Sequence, residues 1–143
     1  MELSNYKSWF TRNYLDFIAA NKIVDSQVNE DVRYEKITDA IRVDMSDEEF
    51  FFFKHSTLKI IYISNEVLAE KLWLEFKHSF DTRTPEKTVR SRAGKTSNQL
   101  IFACKGITVA LKNDSVDFIE IYPPCSLQEY LDSVYREPGL FIR

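Results

Sequence analysis

The chain has 143 residues, a net charge of −3, 44% apolar and 14% aromatic side chains, and only three glycines, two histidines and two cysteines. That inventory leaves no material for a Gly-rich phosphate loop, a zinc cage or a disulfide framework. Length and apolar content fit one globular domain, residues 1–143, and lie far from the composition of disordered chains. Glu2, Lys7, Arg12 and Asp16 interrupt the amino terminus where a secretory signal would be apolar, and no later run reaches membrane-spanning length. A soluble, cytoplasmic protein with reduced thiols, no membrane contact and no cofactor or metal is expected.

In chain order, Tyr6, Phe10, Tyr14, Phe17 and Ile18 recur at helical steps and predict a first helix over residues 5–20, capped by Ser4 or Asn5. Val28, Val32, Ile37 and Ile41 keep a rough helical step through charged surroundings, so residues 26–41 read as a second helix or as a loop followed by a short strand. Phe50–Phe53 and Leu58–Ile63 are β-favouring runs around the polar stretch Lys54–Thr57, the pattern of an antiparallel hairpin. Ser64 or Asn65 then caps a strongly apolar helix ending near Phe80.

From Thr88 the pattern becomes strands and turns. Leu100, Phe102 and Cys104 share one face, Ile107, Val109 and Leu111 another, and Val116–Tyr122 follows the turn Asn113–Ser115. Pro123 and Pro124 close the meander, and Ser126 with Glu129 forms a capping box for a last short helix, stopped by Pro138 and Gly139. Blocks of helices and strands without strict βα alternation predict an α+β fold. In it an antiparallel meander and a hairpin pack against three or four helices, one helical layer on one sheet.

Two charged regions are the candidate sites. Arg83, Lys87, Arg90, Arg92 and Lys95 could contact an anion or an acidic partner, or simply form a charged edge that discourages aggregation. Residues 25–49 hold nine acids against three bases, a local charge of −6. Asp44, Asp47, Glu48 and Glu49 could steer a basic partner or form a solvated face. Gly94-Lys95-Thr96 lacks the second glycine and the following helix of a P-loop and reads as a turn. The Glu75-x-Lys77 spacing of metal-dependent nucleases falls inside the helix pattern and reads as coincidence. Cys104 reads as buried and inert; Cys125, just before a helix cap, is the better candidate for a lowered thiol pKa.

No nucleophile, base and oxyanion donor can be assembled, so the residues favour a non-enzymatic interaction module, such as an inhibitor, immunity-type neutraliser or adaptor. In that reading the acidic region or exposed aromatics meet another protein. The alternative is a domain that binds a small anionic ligand through residues 83–95, or an unrecognised enzyme using them. The net charge of −3 disfavours nucleic acid. A homodimer through the sheet edge is a third possibility.

Overall fold

The computed structural model describes residues 2–90 and 97–137. Eight strands form one fully antiparallel sheet: β1 (Val28–Tyr34), β2 (Ile37–Ser46), β3 (Glu49–Lys54), β4 (Thr57–Ile63), β5 (Lys87–Arg90), β6 (Ser97–Phe102), β7 (Ile107–Lys112) and β8 (Ser115–Ile121). The spatial order β1-β2-β3-β4-β8-β7-β6-β5 joins two four-stranded meanders along β4 and β8, where Ile61 faces Ile121 and Ile63 faces Ile119. The fold is therefore α+β, with the expected hairpin and meander fused into one sheet.

Period-two alternation gives that sheet two apolar faces. Phe51 and Phe53 of β3 point to one face with Val43, Ile61, Ile63, Val109, Ile119 and Ile121; Phe52 points to the other with Ile60, Ile101 and Tyr122. The first face is covered by α1 (Leu3–Ser8), α2 (Tyr14–Ala20) and α3 (Glu66–Ser79), through Leu3, Tyr6, Phe17, Leu72, Trp73 and Phe76. The second is covered in part by α4 (Leu127–Ser133), whose Tyr130 is fully buried. Helices thus lie on both faces.

The capping predictions at α3 and α4 hold. The Asn65 side chain accepts from Leu68 N–H, and Ser126 with Glu129 closes a reciprocal capping box. Pro138 and Gly139 lie outside the described residues, as does the Gly94 turn.

Two segments differ from expectation. The predicted first helix is broken: α1 runs into a 3-10 turn at Trp9–Thr11, Arg12 is extended, and α2 starts anew with Asn13 accepting from Asp16 N–H. A long-range tie fixes the break, because Tyr14 N–H donates to Ser56 O and Asn13 bridges to Thr57. Residues 26–41 are neither a helix nor a loop with one short strand, but a 3-10 turn followed by the β1–β2 hairpin. Pairing shifts register between Asn29 and Val32 and again before Tyr34, and Asp31 and Asp39 both take positive φ. Such irregularities spread apolar residues to three- and four-residue intervals, and so imitate a helical step.

With no glycine before Gly94, several turns use ordinary residues in the left-handed region. Lys22 (φ 52) follows α2 in a Schellman arrangement, with Ile23 N–H donating to Ile18 O and Lys22 N–H to Ala19 O. A β-carbon in that region costs about 1 kcal/mol. Lys22→Gly should therefore raise the unfolding free energy by about 1 kcal/mol, read from the denaturant midpoint at unchanged slope.

Candidate functional site

The second sheet face carries the unusual chemistry. Along one transverse row, Phe50 pairs with Tyr62, Tyr62 with Glu120, and Glu120 with Thr108. Glu120 is fully buried, and its two carboxyl oxygens accept from the hydroxyls of Tyr34 and Tyr130. Beside it Thr108 Oγ1 shares a 2.8 Å hydrogen bond with the Tyr122 hydroxyl, which also donates to Ile107 O at 3.1 Å. A carboxyl inside an apolar core is tolerated because donors surround it. The result is a polar clasp: Tyr34 comes from β1 and Tyr130 from α4, so one side chain on β8 fastens both ends of this face.

Burial, reinforced by the Glu120 charge, pushes the Tyr130 hydroxyl well above its ordinary value of 10.0. Burial likewise raises Tyr122, and burial with the 2.7 Å bond to Glu49 raises Tyr6. These groups stay protonated in the folded chain where unfolded tyrosine ionises. Their contribution is therefore complete below about pH 10 and falls as pH rises above it, by at most about 1.4 kcal/mol per pH unit for each group. The melting temperature should be flat from about pH 7 to 9 and drop above 10, with Tyr130→Phe flattening the drop; a pH series of melting curves checks this.

Two recesses flank α4 on this face and share Lys36. The first, about 450 Å³, is lined by Lys36, Lys54 and Lys59 over a floor that includes Tyr122, Pro123 and Pro124, with Cys125 and Glu129 along α4's start. Lys36 enters from the β1–β2 turn, and its Nζ donates to Leu131 O at 2.7 Å. Lys54 ends β3 with the parity of Phe52. Lys59 is the extra residue of a bulge in β4, where Phe52 pairs with Ile60 and Phe53 with Leu58. The second recess, about 440 Å³, is lined by Lys36, Lys87, Val89, Arg90, Asp132 and Tyr135, among others. The Arg90 carbonyl accepts from Tyr135 at 3.0 Å.

The candidate basic residues are thus dispersed. Lys87 and Arg90 line the second recess, whereas Arg83 is exposed and forked onto Asp81, which its guanidinium holds down at about pKa 2. Arg92 and Lys95 lie outside the described residues. The acidic candidates do not form one patch either. Asp44 is bound by Arg42 at 2.6 Å and by Asn29 at 3.2 Å, while Glu48 accepts from Asn65 at 3.3 Å. Glu49 points to the face covered by α1, α2 and α3, where it receives the Tyr6 hydroxyl. Asp47 is exposed in the β2–β3 turn.

The thiols also differ from expectation. Cys104 is exposed in a 3-10 turn, not buried in a strand, and its hydrogen bond with Glu86 raises its pKa. Burial, with the charges of Glu129 and Glu86, raises Cys125, the reverse of activation by a helix terminus. Glu75, of the nuclease-like triplet, accepts Leu3 N–H at 3.1 and 3.2 Å and so fastens α1 to α3. Among the described residues no three His, Cys, Asp or Glu side chains are grouped to hold a metal, and no helix is long and apolar enough to cross a membrane.

The architecture defines an α+β protein with a clasped eight-stranded antiparallel sheet and a lysine-lined recess beside its last helix. No family model, curated protein or solved structure matches the chain.

Proposed function

We propose that the protein is a non-enzymatic interaction module that captures an acidic segment of a partner protein on the α4 side of its sheet. The observation that carries this reading is the convergence of Lys36, Lys54 and Lys59 on one recess, opposed there by Glu129 alone. Ion pairs among the described residues are Arg42–Asp44 and Arg83–Asp81. The ammonium groups of Lys54 and Lys59 therefore remain available to an incoming carboxylate. The floor of tyrosine and proline rings supplies apolar contact, and the second recess, where Lys87 stands beside Asp132 and Glu137, adjoins it through Lys36. Such a surface steers an acidic partner despite the chain's net charge of −3.

Lys54→Glu combined with Lys59→Glu should weaken binding of a labelled poly-glutamate peptide about tenfold or more, as two attractive contacts become repulsive. The melting temperature should hold, because neither lysine is part of the core. Unchanged binding in fluorescence anisotropy would remove the recess from the reading. The recess volume of about 450 Å³ also suits a small phosphorylated or carboxylated molecule. A melting-temperature rise with nucleotides or phosphosugars, without peptide binding, selects that second reading.

A further inference from the structure

The two cysteines of the chain are distant in sequence and neighbours in the fold. Cys104 belongs to the 3-10 turn Ala103–Lys105 between β6 and β7, and Cys125 to the segment that joins β8 to α4. Two backbone bonds of 3.0 Å hold these segments together, from Cys125 N–H to Ala103 O and from Tyr122 N–H to Gly106 O. The first of them fixes the spacing of the pair. Ala103 O shares a peptide plane with the Cys104 α-carbon, and Cys125 N is one bond from its own α-carbon, so the two α-carbons stand less than about 7 Å apart. A disulfide spans that distance. Glu86 belongs to the same neighbourhood: its Oε2 accepts Cys104 N–H at 2.8 Å, and its charge acts on both thiols. Cys104 is exposed, and Cys125 is half-buried on the wall of the lysine recess.

We propose that Cys104 and Cys125 are a redox pair that closes into an intramolecular disulfide on meeting a small disulfide oxidant such as glutathione disulfide. Cys104, the exposed thiol, reacts first. Its thiolate attacks one sulfur of the oxidant, the S–S bond breaks, and one glutathione leaves as a thiolate that takes up a proton. The Cys125 thiolate then attacks Cys104 Sγ and expels the second glutathione in the same way. The protein loses two hydrogens and two electrons, and the oxidant becomes two thiols. The Glu86 hydrogen bond at Cys104 and burial at Cys125 both favour the protonated thiols, so the pair closes slowly at neutral pH and faster as pH rises. The bond encloses β7 and β8 in a covalent loop and ties the Pro123–Cys125 wall of the recess to the β6–β7 turn. It forms without any partner, so its chemistry is independent of peptide capture.

Intact mass spectrometry of the full chain after treatment with excess glutathione disulfide at about pH 8.5 is the test. The wild type should end lighter by two hydrogens and without titratable thiols, and a non-reducing digest should link the peptides that carry Cys104 and Cys125. Cys125→Ser should instead accumulate one glutathione on Cys104, because the thiol that resolves the mixed disulfide is gone. A wild type that keeps the same single adduct, carries an adduct on each cysteine, or links its cysteines between two chains would overturn the proposal. So would a wild type with both thiols still titratable once Cys125→Ser has reacted fully at Cys104.

Discussion

Gly106→Ala is expected to lower the melting temperature by roughly 12 °C. Gly106 sits between β6 and β7 at φ +71, and its carbonyl accepts from Tyr122 N–H while its own N–H donates to Ala103 O. A β-carbon there would stand 2.1 Å from the Tyr122 carbonyl oxygen and 3.2 Å from Pro124 N, both backbone atoms. The left-handed conformation costs an alanine about 1–2 kcal/mol, and the displaced backbone adds about 1–3 kcal/mol. A total near 4 kcal/mol corresponds to the stated shift at about 3 °C per kcal/mol for a domain of this size. Because Tyr122–Cys125 runs along the first recess, the same variant should also weaken peptide binding. A melting temperature within a degree or two of wild type would mean that the turn can relax, and would undo the argument.

Glu120→Ala is the second large loss. It removes the acceptor shared by the Tyr34 and Tyr130 hydroxyls and opens a gap between the sheet and α4. Each phenol left in the core without that bond costs about 1–2 kcal/mol, and the vacated volume adds about 1 kcal/mol more. Removing a buried carboxyl returns part of its desolvation cost, which sets the net expectation at about 3 kcal/mol. Glu120→Gln keeps the volume and one good acceptor oxygen, and should lose about half as much. Thermal denaturation of the pair gives the ordering; a Glu120→Ala protein as stable as wild type would show that the clasp contributes specificity without stability.

Elements whose apolar period is unbroken could be read from the sequence, because burial alone sets that period. Phe50–Phe53 with Leu58–Ile63, α3 with its Asn65 cap, and the strands around Val109 and Ile119 all appear where the pattern places them. The β1–β2 hairpin was hidden because irregularities near Asp31 and Asp39 shift the alternation, and because left-handed Asp residues give no glycine signal. The break in the first helix depends on Ser56, more than forty residues away, which no local window contains.

The candidate site was less legible for the same reason. Lys36, Lys54 and Lys59 belong to no motif; each closes or flanks a turn, and only the β2–β3–β4 pairing and the docking of α4 bring them together. Lys54 carried one usable clue, its two-residue step from Phe52, which placed it on the face opposite Phe51 and Phe53. The clasp joins Tyr34 to Glu120 across 86 positions of sequence. By contrast, the run of acids at 44–49 looked like a patch because charge is counted along the chain, whereas alternation sends Asp44 and Glu49 to opposite faces of the sheet.

The most direct measurement is anisotropy titration of a labelled poly-glutamate peptide against the wild type and the Lys54→Glu/Lys59→Glu protein, at low and at high salt. Saturable binding that weakens steeply with salt and is lost in the double variant, with melting temperatures matched, is the predicted result. Equal affinity of both proteins, or stronger binding of poly-lysine than of poly-glutamate by the wild type, would contradict it.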